Sequence, residues 1–249
     1  MPSKKKRLDA TVAFIQRRWG SAAISKGKPV QPTADVPHIP TGFTSLDKAL
    51  VGIGGIPRSR LTEITAEKTA GMTTLALKVI ANAQAERDMA AYLDLGAIFD
   101  PDYASRCGVN LSKLLLVRPQ TVQEALEITH SLIGSRGVGV LIFDSVTHLL
   151  ADPTNVQFLS AALNKMLPTL AKSPCAPIFL TSLPTPLVDF TLPHTTVRLL
   201  FEKERWLNKG RDIRGYEARV SVQKNKLGTA GRSAKISIIF NGTVRGDAT

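Results

Sequence analysis

Leu61-Thr62-Glu63-Ile64-Thr65-Ala66-Glu67-Lys68-Thr69-Ala70-Gly71-Met72-Thr73-Thr74, followed directly by Leu75-Ala76-Leu77-Lys78-Val79-Ile80, is the stretch on which the fold turns. A β-branched run, a loop of small residues and an apolar-striped segment predict a strand, a turn and a helix start, the setting of a phosphate-binding loop G-x-x-x-x-G-K-[ST]. In that loop the first glycine frees the backbone to turn, the lysine meets the β- and γ-phosphates, and the hydroxyl holds magnesium. Here those places hold Ala66, Gly71, Met72 and Thr73, so one glycine and the cation are missing. The candidate nucleotide contacts are Glu67, Lys68, Thr69, Ala70, Gly71, Met72, Thr73 and Thr74. Lys68 could swing in as a substitute cation, although a loop lysine is ordinarily just solvated. Half a motif weighs little alone, because small residues precede many helices.

The surroundings add weight. Upstream stand I-P-T-G-F-T-S-L-D-K-A-L (Ile39 to Leu50) and G-I-G-G-I-P-R-S-R (Gly52 to Arg60); downstream come Y-L-D-L-G-A-I-F-D-P-D-Y-A (Tyr92 to Ala104), V-L-I-F-D-S-V (Val140 to Val146) and V-Q-K-N-K (Val222 to Lys226). This ordered set resembles the bacterial RecA recombinase family, whose members form ATP-dependent filaments on single-stranded DNA. The resemblance runs from about Val12 to Ile239. It implies an α/β fold: a RecA-like P-loop ATPase core, mainly parallel sheet flanked by helices with an antiparallel β extension, preceded by an N-terminal helix arm. By that resemblance the family's separate carboxy-terminal domain is expected to be absent.

Along the chain, Leu8, Val12, Ile15 and Trp19 recur at helical spacing, and the proline-bearing segment from Gly27 to Pro40 reads as a linker. The expected division is a basic helix and linker over 1–38 and a core over 39–249. In the family the corresponding helix docks on the neighbouring subunit; periodicity alone equally allows a helix folded onto its own core. Within the core, strands are expected at Leu61–Thr65, Ala91–Leu95, Leu114–Val117, Val138–Phe143 and Pro177–Thr181. Helices are expected at Thr73–Glu86, Thr121–Ser135 and Asn155–Ala171, the last bent at Pro168. Alternating strands and helices predict a parallel sheet covered on both faces. Beyond Thr195 long β segments follow, Thr196–Arg205, Tyr216–Gln223 and Ala234–Phe240.

The 249 residues carry 32 Lys and Arg against 20 Asp and Glu, a net charge of +12 that suits a polyanionic partner, nucleic acid before an anionic membrane. The positive charge gathers at Lys4, Lys5, Lys6 and Arg7, at Arg17 and Arg18, and in the late region, with Arg205, Lys209, Arg211 and Arg214 as candidate DNA contacts. Trp206 and Tyr216 lie in that region and could stack on bases; such residues are more often core. Cys107 and Cys175 lack partners at metal-ligand spacing, and no apolar run approaches a membrane span, so a cytoplasmic, nucleoid-associated protein without a structural metal is expected.

What the resemblance implies for chemistry is uneven. Thr73 matches the magnesium-binding hydroxyl and Thr74 its neighbour. Asp144 ends the Walker B strand and would share the magnesium ion, while Asp100 and Tyr103 match residues that contact adenine. The family's water-activating glutamate is replaced by Gly96 and its γ-phosphate-sensing glutamine by Ser182. A general base is worth about 10²–10⁴ in rate, and glycine supplies none. Lys224 and Lys226 match lysines that reach across the subunit interface to a neighbour's ATP. Ser173 to Val197 contains no Lys or Arg, which puts the family's loop-borne DNA contact in doubt.

Three functions follow from these readings. The leading one is a non-hydrolysing, DNA-associated protein of recombination or repair, with weakened ATP and Mg²⁺ binding and single-stranded DNA favoured, which assembles with itself or with RecA-family subunits. The second is an active DNA-dependent ATPase in which Lys68 and another carboxylate replace the lost groups. The third is a regulatory partner of RecA without DNA contact, similar to the RecA-like accessory proteins of mutagenic translesion operons.

Overall fold

The computed structural model describes residues 3–21, 23–24, 36–67, 70–149, 154–184, 193–241 and 243–245. Lys68 and Thr69, and most of the expected linker, fall outside them. Two compact units divide the chain, Met1–Ala34 and Asp35–Thr249.

The first unit holds α1 (Lys4–Trp19). It starts four residues before the apolar stripe because Ser3 caps it, its hydroxyl accepting from Lys6 N, and because a lysine run tolerates helix well. Arg17 and Arg18 in the last turn suit the negative end of the helix dipole. None of its residues is buried, and Leu8, Phe14 and Trp19 are exposed.

The second unit runs β1 (His38–Ile39), α2 (Thr44–Ala49), β2 (Ile56–Pro57), β3 (Thr62–Glu67), α3 (Met72–Ala85), β4 (Met89–Asp94), α4 (Pro101–Arg106), β5 (Leu114–Val117), α5 (Val122–Ser135), β6 (Val138–Asp144), α6 (Val146–Leu149), α7 (Thr154–Leu170), β7 (Ala176–Leu183), β8 (Val197–Lys209), β9 (Asp212–Asn225), β10 (Ser233–Asn241) and β11 (Thr243–Arg245). Pro168 stands in the last turn of α7. One nine-stranded sheet has the order β11-β10-β9-β8-β3-β7-β6-β4-β5. The strands from β8 to β5 in that order pair in parallel, and β9, β10 and β11 extend them antiparallel.

Every residue of β6 is buried, as a strand covered on both faces requires. Its side chains alternate between two apolar clusters, Val140 and Ile142 with α3 on one face, Leu141 and Phe143 with α5 and α7 on the other. On that second face Phe143 stacks on Phe179 with ring centroids 4.8 Å apart, so Phe143→Ala would cost about 3–5 kcal/mol.

The late strands outrun the sequence expectation. β8 and β9 form a long hairpin whose ends are held by the cross-strand pairs Arg205 with Glu217 and Trp206 with Tyr216. Such pairs contribute about 0.2–1 kcal/mol each, which carries the ladder past the point where residue preference alone would stop it.

Candidate nucleotide cleft

β3 delivers the chain to the carboxyl edge of the sheet, where ligands of such folds bind. Ala70 is buried, and Gly71 takes the left-handed conformation, with φ 111°, that turns the backbone into α3. As N-cap it has no side chain to meet the helix's first N–H groups, and the first turn carries no acid. That leaves a helix N-terminus with a bare positive end. Met72, in the lysine's place, is half-buried and packs against the apolar cluster of α3 and the late strands. The loop has kept its backbone turn, while its cation has become packing.

A cleft of about 430 Å³ opens beside this loop, lined by Ala70, Gly71, Met72, Thr73, Thr74, Tyr103, Arg106, Trp206, Tyr216 and Phe240. Tyr103 is carried by α4, whose N-cap Asp100 accepts from the Tyr103 backbone N–H at 2.9 Å. The Tyr103 hydroxyl shares a 2.6 Å hydrogen bond with Thr74 Oγ1, and burial pushes its pKa up to about 12. Arg106 lies over its ring at 5.6 Å. From the antiparallel extension, Tyr216 meets Trp206 edge-on and Phe240 at a tilt, both at 5.8 Å between centroids. Tyr216 is buried and forms a wall of the cleft rather than a surface for stacking; Trp206 is half-exposed at the rim, with Lys203 Nζ 4.2 Å from its ring.

The sequence readings missed Arg106 and Phe240 and placed Tyr216 elsewhere. The pleat of β9 and β10, which aims these aromatic rings at α3, depends on a register that the residues do not announce. The antiparallel pairing of Tyr216 with Ile238 sets it.

Asp144, at the end of β6, does not line this cleft; it is buried and accepts a short hydrogen bond from the Tyr92 hydroxyl. Burial first, and Asp144 second, push the Tyr92 pKa up, which keeps the phenol a donor. Asp94 is its Cα partner on β4. It accepts from Ile98 N at 2.9 Å, Phe99 N at 3.3 Å and Arg118 Nε at 3.1 Å, so it ties the turn that contains Gly96. Glu67 is exposed at the end of β3. Ser182 donates its backbone N–H to Thr147 Oγ1 at 2.9 Å.

Lys224 and Lys226 come together where β9 ends, at the open end of the β8–β9 hairpin. Burial, then Lys226 and Arg198, hold the Lys224 pKa low, and burial with both lysines lowers that of His194. Lys226 Nζ donates to Pro193 O at 3.1 Å.

Some of the late basic residues are matched with acids. Arg205 grips Glu217 through Nε at 2.6 Å and Nη2 at 3.0 Å; Arg219 and Lys235 share Glu204; Arg214 lies 3.8 Å from Asp212. Arg211 is exposed, and Lys209 lies in β8 with its side chain outside the described residues. Lys4, Lys5, Lys6, Arg7, Arg17 and Arg18 are exposed on α1. Among the described residues no cluster of three or more His, Cys, Asp or Glu is placed to hold a metal ion, and no helix is long and apolar enough to cross a membrane.

A turned loop at a helix N-terminus, on a parallel sheet that continues into an antiparallel hairpin, is matched by the model of the RecA N-terminal domain over residues 6–245. The chain belongs to the RecA family. It is 37% identical to Protein RecA of Chloroflexus aggregans over 264 residues, covering 96% of this chain and 75% of that protein. The RecA proteins of Herpetosiphon aurantiacus and Chlamydia felis are each 35% identical, covering 96% and 97% of this chain and 73% and 76% of theirs.

Proposed function

We propose that this RecA-family protein serves homologous recombination or DNA repair as a non-hydrolysing member, one that binds nucleotide weakly and works through DNA and through subunits of its own family. The observation that carries this reading is Met72, whose side chain packs in an apolar cluster where a phosphate-binding lysine is needed. Losing a charge-assisted contact of about 1.5–3 kcal/mol lowers affinity by about one to two decades. Gly96 brings no base, and Asp94, the nearest carboxylate in sequence, is occupied by two backbone N–H groups and Arg118.

The residues present fit the base end of a nucleotide better than its phosphate end. Tyr103, Trp206 and Phe240 offer flat faces, and the uncapped start of α3 offers N–H groups. Magnesium, if it accompanies ATP, would meet Thr73 in the cleft and would neutralise phosphate charge; Asp144, expected to share it, stands outside the cleft lining with its carboxylate bonded by the Tyr92 hydroxyl. The test is ATP turnover with and without single-stranded DNA. No turnover above background is expected, and clear DNA-stimulated hydrolysis overturns the reading in favour of an active ATPase.

The ion pairs on β8, β9 and β10 favour a second reading, in which DNA contact is slight and the chain regulates RecA-family subunits directly. Co-precipitation with RecA that survives nuclease treatment supports it, and loss of the complex on nuclease treatment removes it.

A further inference from the structure

The phosphate loop in this chain is covered from outside by a side chain of its own fold. Tyr216 projects from β9 so closely onto the loop that a methyl group on Gly71 would stand 2.7 Å from the Tyr216 hydroxyl and 3.0 Å from Ile238 Cδ1. Thr74, in the first turn of α3, shares its Oγ1 with the Tyr103 hydroxyl at 2.6 Å. Trp206 and Phe240 brace the Tyr216 ring from the two neighbouring strands. The Tyr216 hydroxyl thereby stands against Gly71, at the end of the cleft nearest the helix start. What stays open is the aromatic end, with Trp206 half-exposed, Phe240, the Tyr103 ring and one guanidinium, Arg106.

Resting on the nucleotide-site reading above, we infer that Tyr216 is a specificity-determining lid that fits this cleft for a nucleoside or nucleoside monophosphate and keeps out the polyphosphate of a nucleoside triphosphate. The base stacks among the aromatic rings, and a single phosphate finds Arg106. A β- or γ-phosphate would have to lie over Gly71, against which the phenol stands. The cleft volume of about 430 Å³ falls in the range of about 300–1,000 Å³ usual for small-ligand sites.

The chain has two tryptophans, so a Trp19→Phe background leaves Trp206 as the reporter of ligand entry. Titration of this protein with adenosine, AMP and ATP, followed by Trp206 fluorescence and by calorimetry, is expected to give an affinity for AMP at least equal to that for ATP. Tyr216→Ala should then raise ATP affinity by about tenfold or more without raising that for adenosine. Tyr216→Phe keeps the ring and its packing, removes only the hydroxyl, and should show a smaller gain of the same sign, so the test does not depend on the alanine variant folding.

A wild-type preference for ATP over AMP above about tenfold, or ATP affinity unchanged in both variants while ligands still bind, overturns the lid and leaves the nucleotide site standing. Failure of all three ligands to bind any variant overturns both.

Discussion

Arg198 donates to Glu63 Oε2 through Nε at 3.0 Å and Nη2 at 2.8 Å, and both side chains are shut away from solvent. Thr181 Oγ1 adds a bond to Glu63 Oε1 at 3.0 Å, so one carboxylate joins β3, β7 and β8 beneath the phosphate loop. A buried pair adds little over an apolar replacement of both partners, but removing one partner strands the other charge. Arg198→Met should therefore cost about 3–5 kcal/mol, and Glu63→Leu/Arg198→Met considerably less. Urea unfolding of the two variants checks this; equal losses would mean that the pair acts only as packing.

The pseudo-enzyme reading has its own repair experiment. Met72→Lys returns the phosphate cation and should raise ATP affinity by about one to two decades, with some loss of stability because Met72 packs against the apolar cluster. Met72→Lys/Gly96→Glu should add weak, DNA-stimulated hydrolysis, since base and cation act as a unit and one without the other does little. Phosphate release assays follow the rate, and activity from Met72→Lys alone would show that Gly96 is not the place of the missing base.

Much of this was legible in the residues, and the reasons are local. The strand over Val138–Asp144 announces itself as an unbroken apolar run ending in a carboxylate, and Leu114–Val117 is bounded by turn residues on both sides. Met72 and Gly96 stand out because they depart from a motif of fixed spacing. Tyr216 could not be placed the same way. Its role depends on which of two faces β9 turns toward α3, and on a neighbour, Ile238, that pairs with it across a turn. The ion pairs of the hairpin were hidden for a similar reason. Arg205 and Glu217 lie on different strands, and composition counts the cation without seeing its acid.

Such pairing bears on which cations a DNA phosphate would meet. Deleting residues 1–28 removes the exposed Lys4, Lys5, Lys6, Arg7, Arg17 and Arg18 together with Lys26 and Lys28, and should flatten the dependence of log K on log salt by about 0.7 per lost contact with single strands. Arg205→Ala should change the slope little, because Glu217 already holds its guanidinium. Filter binding across a salt series measures both; a large effect of Arg205→Ala would show that DNA displaces the acid.

Acidification should act on the cluster of Lys224, Lys226 and His194. The His194 pKa is lowered from 6.5 in the folded chain by burial and by the two lysines, so below 6.5 the unfolded chain takes the proton more readily. The contribution of His194 to stability is therefore present above that pH and is lost as pH falls from 6.5 through the lowered folded value. The loss is small because the imidazole is largely solvated, and about 1 M salt should screen part of it. Thermal melts from about pH 8 to about pH 5 should fall less steeply in His194→Gln than in wild type. Parallel curves would place the titrating group elsewhere.

The last prediction comes from an asymmetry between what this chain has given up and what it still presents. Its own loop has Met72 for the cation, Tyr216 over the glycine and Gly96 for the base. Lys224 and Lys226, which by family resemblance serve a neighbour's ATP, stand together where β9 ends, with burial first and Lys226 second holding the Lys224 pKa low. The helix α1 carries Leu8, Phe14 and Trp19 exposed. A subunit built this way would complete an active partner's site while offering a poor one in return, and would cap or interrupt a RecA filament rather than lengthen it. Mixed with an active RecA on single-stranded DNA, the protein should shorten filaments and alter the ATPase rate in proportion to the amount added. Lys224→Ala/Lys226→Ala should lose the effect on ATPase, and deletion of residues 1–28 should lose the effect on length. If wild type and both variants leave RecA equally unaffected, the lysines are basic residues of a hairpin and the heterotypic assembly does not form.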